Sequence, residues 1–282
     1  MEILERHGDV LSRELPGEDP ADLVVHRGQF HEVVIGADRV VCSARTAAAA
    51  TRLPERASVL RTMADLDLGF RTPVPLSDVD GLQSCLVLSR IPGAPLDGAV
   101  LDDPSVLAVA ATEFAALLTG LARVGRHGAA RVDLPTSLPE RWLEFATGVC
   151  AELFPLMSEE GRARATAELA DLRMLPHLTS AVVHGDLGGE NVLWEWIAGL
   201  PRLVGVVDWD EVMLGDQAED LAAIQASYGD GLVRAVLAAL PAQDGVVERI
   251  AAIRGTFAMQ QALAALRDGD QDELADGLDG YR

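Results

Sequence analysis

Short apolar runs separated by glycine-containing turns characterise the N-terminal third of the chain and predict β-strands. These runs cover residues 23–25, 32–35, 39–43 and 83–88, with Gly28 and Gly36 at the turns. Before the last of them, apolar residues recur at helical spacing through Leu53, Ala57 and Leu60, which predicts a helix over residues 47–66. This part of the chain is therefore expected to form strands around one main helix.

Longer stretches of helical periodicity dominate the rest of the chain. They predict helices over residues 104–123, 138–155, 158–173, 217–228, 230–240, 245–266 and 270–279. Residues 181–216 interrupt this pattern with short apolar runs and polar loops, which is typical of small β-hairpins that carry functional loops.

These patterns predict an α+β fold with two lobes, a small β-rich N-terminal lobe and a larger, mostly helical C-terminal lobe. A length of 282 residues is in keeping with two domains. The proline- and glycine-containing segment at about residues 88–94 is the expected hinge, so the predicted domains are residues 1–91 and 92–282.

The charge composition narrows the classes of function. The chain has 44 acidic and 23 basic residues, a net charge of −21, and every basic residue is arginine. Without lysine, Schiff-base chemistry and a P-loop lysine are excluded. The acidic excess argues against a nucleic-acid partner and favours a metal ion or a cationic ligand. A gain in solubility alone is the alternative explanation of that charge.

Other features of the composition predict a cytoplasmic protein that does not act at a membrane. Its three cysteines include no CxxC pair and are expected to be reduced. The acidic N-terminus does not resemble a signal peptide, and no uninterrupted apolar run reaches the roughly 18 residues of a membrane span.

One loop carries a pattern with chemical meaning. It begins at His184-Gly185-Asp186, and the only asparagine of the chain, Asn191, follows five residues after Asp186. This is the spacing of a kinase catalytic loop, in which the carboxylate accepts a proton from a hydroxyl and the amide oxygen reaches Mg²⁺.

Further carboxylates follow in an order that supports phosphoryl transfer. Asp208 ends the next apolar run, where it could hold a metal ion between nucleotide phosphates, and Asp216 and Asp220 flank the start of a predicted helix. Each of these residues alone could be an ordinary turn or helix-capping residue. Their combination points to phosphotransfer.

This series of motifs resembles the aminoglycoside phosphotransferase family, whose fold is protein-kinase-like. The resemblance implies that Asp186 is the catalytic base and that Asn191 and Asp208 are Mg²⁺ ligands. It also implies structural support from His184, which would brace the loop, and from Asp220, which would anchor it, while Asp216 is more structural than chemical.

The same resemblance implies an ATP- or GTP-dependent antibiotic kinase. Its acceptor would be a hydroxyl, expected on a serine side chain, of a cationic cyclic peptide of the tuberactinomycin class. The alternatives are the same fold acting on an aminoglycoside, a macrolide or a small metabolite, and a non-catalytic module that only binds nucleotide or peptide.

On the nucleotide side, Gly28 lies where the family has a loop over the phosphates, although a plain hairpin turn is an alternative. The family's strand lysine is absent, so Arg45 is the candidate replacement and Glu55 its candidate helix partner, with solvated surface charge as the competing interpretation. Main-chain groups of Ser89 and Ile91 are the candidates for contact with the nucleotide base.

Acidic side chains next to the motifs are candidates for recognition of a cationic acceptor. Glu190 lies inside the catalytic loop, and Asp210 and Glu211 follow the proposed metal ligand. An acidic rim at these positions would attract and orient amine or guanidine groups.

Overall fold

The structure, a computed structural model, describes residues 2–28, 31–77, 85–126 and 133–282. A four-stranded antiparallel sheet forms the centre of the N-terminal lobe. Its strands, in the order β1-β2-β3-β4, are β1 (Val24–Arg27), β2 (His31–Ile35), β3 (Arg39–Ala44) and β4 (Cys85–Ser89). The predicted strands are therefore present, with shifts of one to two residues at the ends that the structure describes. Residues 83–84 of the last predicted strand lie outside the described residues.

One face of this sheet packs against the predicted helix. Helix α3 (Ala47–Asp65) begins at Thr46, whose side chain accepts a hydrogen bond from the Ala49 amide. Its buried residues Leu53, Ala57 and Leu60 recur at three- and four-residue spacing, so a single apolar face meets the sheet.

Two short helices that the sequence pattern did not predict cover the opposite face of the sheet. They are α1 (Glu2–Arg6) and α2 (Gly8–Glu14). Leu11 and Leu15 pack there against Val41. Helices of five and seven residues are too short to display a clear period, and tertiary packing stabilises them instead.

The C-terminal lobe is built around helix α4 (Pro104–Gly125), which starts at an Asp103 cap and lies in the main hydrophobic core. By length and composition alone α4 could cross a membrane, but half of its most apolar window is buried inside the protein. The buried core helix of a protein that spans no membrane can meet the same criteria of length and composition. The further helices are α5 (Arg141–Gly148), α6 (Glu159–Arg173), α7 (Ala218–Ala239), α8 (Val246–Gly255), α9 (Phe257–Asp268) and α10 (Gln271–Gly277).

Several predicted helices are divided differently in the structure. The helix expected over 138–155 is α-helical only in α5 and continues as a π-helical turn (Val149–Leu153) and a 3₁₀ turn (Phe154–Leu156). Helix α7 is one element that kinks at Gly229, where φ is 80° and ψ 179°, so the two helices expected over 217–240 are its two halves. The single helix expected over 245–266 is divided at Thr256, whose buried hydroxyl donates to the carbonyl of Ile253. Such a local side-chain hydrogen bond competes with helix continuation.

Short strands carry the loops of the C-terminal lobe. Strands β5 (Ala94–Pro95), β7 (Val192–Ile197) and β8 (Leu200–Val206) form one antiparallel sheet, and β6 (Ala181–Val183) pairs with β9 (Met213–Gly215). Strands β5 and β9 were not predicted because two or three residues give no usable alternation. Residues 90–93 connect β4 to β5, and the domain boundary at 91/92 stays a prediction.

Candidate active site

The loop between β6 and β7 is held in shape by His184. The Nδ1 atom of this fully buried ring accepts a hydrogen bond from the Asp186 amide at 3.2 Å, and Nε2 donates to the Val207 carbonyl at 2.9 Å. These two bonds require the neutral ring with its proton on Nε2. The ring also packs on Trp209, with the centroids 4.6 Å apart. His184 therefore ties the loop to the end of β8.

Asp220, in the first turn of α7, supports the same loop from inside the lobe. Its carboxylate accepts hydrogen bonds from the amides of His184 and Gly185, both at 3.1 Å. The side chain is fully buried, and burial raises its pKa to about 7 despite these two donors. This is the anchoring arrangement expected from the sequence.

Gly185 allows the loop to turn tightly against the segment after β8. Its φ of +89° lies in the left-handed region, and a Cβ at this position would lie 2.7 Å from the Glu211 carbonyl oxygen. This close approach brings Glu211 to the side of Asp186, where its charge helps to raise the pKa of Asp186.

Asp186 and Asn191 contact each other across the loop. The Asn191 Nδ2 atom donates to the main-chain carbonyl of Asp186 at 2.8 Å and to its Oδ2 atom at 3.1 Å. Burial and the nearby charges of Glu190 and Asp208 raise the pKa of Asp186, and the Asn191 hydrogen bond opposes that rise. The Asn191 side-chain nitrogen thus orients the Asp186 carboxylate, and the Asn191 side-chain oxygen takes no part in this contact.

The hairpin formed by β7 and β8 brings Asp208 to Asn191. Asn191 immediately precedes β7, Asp208 follows the end of β8, and Val192 pairs with Val206 across the hairpin. The Val207 amide donates to the Asn191 carbonyl at 2.9 Å. Asp208 itself has φ = 63°, a strained conformation for a residue other than glycine, and such strain is typical of functional sites.

The donor set fits a hard divalent cation. Asn191 offers an amide oxygen and Asp208 a carboxylate. Partial burial and the charge of Asp210 raise the pKa of Asp208, although 53% of its side chain is exposed. Across the described ranges, no group of three or more His, Cys, Asp and Glu side chains could hold a metal ion. Mg²⁺ fits two oxygen donors because it retains water and phosphate ligands, whereas a structural zinc site requires more protein ligands.

The basic residue at this site is Arg56, which the sequence analysis did not select. Arg56 lies on α3 with its Nε atom 2.5 Å from Asp210 Oδ1 and its Nη2 atom 3.5 Å from Asp208 Oδ1. Arg45 is exposed and donates to the Gly28 carbonyl at 2.6 Å, and Glu55 is exposed on α3. The structure therefore does not pair Arg45 with Glu55.

The helical pattern contained a signal for Arg56. It lies three residues after Leu53 and four before Leu60, which places it on the buried face of α3, and Glu55 lies off that face. Glu55 was predicted from its residue type alone, without regard to this spacing.

The remaining nucleotide-side candidates lie at the two edges of the N-terminal sheet. Gly28 directly follows β1, and its amide donates to the His31 carbonyl at 2.9 Å. Residues 29–30, between Gly28 and β2, lie outside the described residues. Ser89 ends β4, with its amide bonded to the Val74 carbonyl, and Ile91 is buried in the connection to the second lobe.

The other acidic candidates separate into two groups. Asp216 is structural: it caps α7 through the Ala218 amide at 3.0 Å and forms a buried 2.7 Å ion pair with Arg249. Glu190 and Glu211 are exposed beside Asp186. Asp210 was predicted to face the acceptor with them, but it is ion-paired with Arg56 on the N-terminal lobe.

The brace formed by His184 has a consequence for acid stability. Burial lowers its pKa to about 4, whereas in the unfolded chain the value is about 6.5. Between these values the unfolded state binds a proton at His184 that the folded state does not, so the contribution of His184 to the free energy of unfolding is expected to fall as pH falls from 6.5 to 4. The raised pKa of Asp220 acts in the opposite direction over much of this range, so the effect of His184 is measured as the difference between the original chain and a variant without this ring. The full difference corresponds to about 3 kcal/mol.

Denaturant titrations at several pH values between 7 and 4 measure this effect. The His184→Gln variant should lose part of the pH dependence, and His26→Gln, at an exposed position, should retain it. An unchanged pH dependence in His184→Gln would contradict the assigned role.

The fold has two lobes, and three side chains converge in it: a loop aspartate, an asparagine five residues later and a further aspartate after a hairpin. This combination defines a kinase-like phosphotransferase. Comparison with known proteins agrees with this class. Residues 25–267 match the model of the phosphotransferase enzyme family, and the chain belongs to this family.

Individual relatives extend this result. The chain is 62% identical over 288 aligned residues to a viomycin phosphotransferase of Streptomyces vinaceus, with full coverage of both chains. It superimposes with a TM-score of 0.81 and 18% identity on APH(2")-IIia in complex with GDP and kanamycin, covering 97% of this chain and 96% of that one. The streptomycin–ATP ternary complex of APH(2")-IIa has a TM-score of 0.73, 14% identity and coverages of 98% and 94%. The predicted family and the predicted α+β, kinase-like fold are confirmed.

Proposed function

We propose that this phosphotransferase moves the γ-phosphate of a nucleoside triphosphate to a hydroxyl of a cationic cyclic peptide of the viomycin type, and so confers resistance. The observation that carries the proposal is the 62% identity to a viomycin phosphotransferase along the entire chain. The contact between Asp186 and Asn191 supports the reaction type.

In this proposal Asp186 is the catalytic base. One carboxylate oxygen accepts the Asn191 amide, which leaves the other to accept a hydrogen bond from the substrate hydroxyl. As the hydroxyl oxygen bonds to phosphorus, its proton passes to Asp186 and the nucleoside diphosphate leaves. The raised pKa of Asp186 makes it a better proton acceptor than an aspartate with the usual pKa.

Asn191 and Asp208 are the proposed ligands of Mg²⁺, which when bound neutralises charge on the nucleotide phosphates. The hydrogen bond of Asn191 Nδ2 to Asp186 supports this, because it leaves the amide oxygen available. Gly28, Ser89 and Ile91 remain proposed nucleotide contacts. Because relatives have been solved with GDP and with ATP, both GTP and ATP are candidate donors.

A cationic acceptor suits the charge around Asp186. Glu190 and Glu211 are exposed next to the base, and the net charge of the whole chain is −21. Such a field concentrates cations at the site, and the transferred phosphate then adds about two negative charges to a ligand that depends on positive charge. We also propose a cytoplasmic location, with neither nucleic acid nor membrane as a partner.

Mass spectrometry tests the proposal directly. Incubation with Mg²⁺ and ATP or GTP should raise the mass of viomycin or capreomycin by one phosphoryl group, and chelation of Mg²⁺ should abolish the change. Kanamycin and a macrolide serve as controls. Phosphorylation of these controls but not of viomycin would favour the broader antibiotic or metabolite kinase. Nucleotide binding without any transfer would favour a binding module.

A further inference from the structure

Arg56 connects the N-terminal lobe to the proposed metal site. It projects from the middle of α3, and only 14% of its side chain is exposed. Its guanidinium lies near two carboxylates, Asp208 and Asp210, that follow β8 in the other lobe. Two carboxylates beside one cation leave a net negative charge, which a bound divalent cation would reverse.

The one cation of the strand next to Arg56 lies on the other face of the sheet, where Arg39 of β3 is 3.9 Å from Glu14 of α2. Residues of β3 alternate between the faces of the sheet: Val41 packs beneath α1 and α2, and Cys42 faces α3. The Cys42 thiol is buried beside the Arg56 guanidinium, and burial raises its pKa to about 11, so it is neutral. The positive charge at this place therefore comes from the helix.

Two buried nitrogen atoms at the site lack acceptors within the described part of the chain. They are Nη1 of Arg56 and Nε2 of His31, the first residue of β2. A third, Arg56 Nε, lies 2.5 Å from Asp210 Oδ1 but has no hydrogen bond of acceptable geometry. The charges of Arg56 and Asp208 both act on His31, so the three groups are neighbours. Buried polar groups without partners are uncommon and call for an explanation.

We propose that Arg56 is a nucleotide-binding residue whose guanidinium contacts the phosphate oxygens, with His31 Nε2 as a second donor beside it. The inference rests on the proposed function, since it requires a nucleotide whose phosphates lie next to Asp208. An oxyanion would supply the missing acceptors, and arginine binds phosphate in a forked, charge-assisted geometry.

Calorimetric titration of the full chain with nucleotides, without any antibiotic, tests this inference. In Arg56→Gln the Kd for ATP should rise about 10- to 100-fold, the range expected for a charge-assisted hydrogen bond, and the Kd for adenosine should be unchanged. Arg56→Lys should be intermediate because it keeps the charge and loses the fork. The matched control is Arg52→Gln, which removes an exposed arginine one turn away on the same helix and should bind ATP like the original chain.

Several results would overturn the inference. If Arg56→Gln binds ATP normally, or binds adenosine and ATP equally weakly, the residue makes no phosphate contact. If Arg45→Gln alone weakens ATP binding, Arg45 is the phosphate-binding cation. If the double variant Arg56→Gln/Asp210→Asn recovers ATP affinity, Arg56 only neutralises Asp210. The original chain's activity toward viomycin is measured separately, so a failure there does not decide the role of Arg56.

Discussion

Replacing Asp186 with asparagine is expected to lower kcat for antibiotic phosphorylation by about 100- to 10,000-fold, the usual contribution of a general base. The substitution keeps the size of the side chain and its contact with Asn191, but the amide cannot accept a proton at neutral pH. The Kd for ATP should change little because the metal-ligand candidates Asn191 and Asp208 remain. Steady-state kinetics together with calorimetry separate the two effects.

Glu190→Gln is the matched control for this experiment. It also removes one exposed carboxylate from the same loop, and it should raise KM for a cationic acceptor more than it lowers kcat. If Asp186→Asn kept kcat within a few-fold of the original enzyme, another group would have to be the base.

Replacing Asp220 with alanine is expected to lower the free energy of unfolding by about 2–5 kcal/mol. The carboxylate satisfies the amides of His184 and Gly185 inside the protein, and its loss leaves two buried donors without acceptors, each at a cost of about 1–3 kcal/mol. Catalysis should fall as well, because the loop that carries Asp186 loses its anchor. Denaturant unfolding followed by kinetics on the folded fraction measures both.

Asp220→Asn distinguishes the shape of this side chain from its charge. With its pKa raised to about 7, Asp220 is substantially protonated in the folded state near neutral pH, so loss of the charge alone should cost little. Asparagine keeps an acceptor oxygen for one of the two amides, while its NH2 group faces the other. This variant should lose less stability than Asp220→Ala, and equal losses would mean that both acceptor oxygens are required.

The sequence was most informative where the chemistry is local. Asp186 and Asn191 lie in one short loop, so their spacing along the chain determines their contact in space. The position of Asp208 was also predictable, because the β7–β8 hairpin returns the chain to the start of β7, next to Asn191. Helix α3 was also predictable, since its apolar period extends over 19 residues.

Prediction was poorer where partners are distant in sequence. Asp216 pairs with Arg249 across 33 residues, and Arg56 meets Asp210 across the two lobes. The period of α3 places Arg56 on the buried face, but no periodicity links either residue of these pairs to its distant partner. For this reason the ion pair of Asp210 with Arg56 was not predicted.

Because Asn191 is the only asparagine in the chain, isotopic labelling of this amino acid would give an NMR spectrum with a single side-chain amide. The two protons of that amide belong to the nitrogen that donates to Asp186, and its oxygen is the proposed metal ligand. One resolved pair of resonances would thus report magnesium, nucleotide and acceptor binding at the catalytic loop, without assignment of any other signal in the protein.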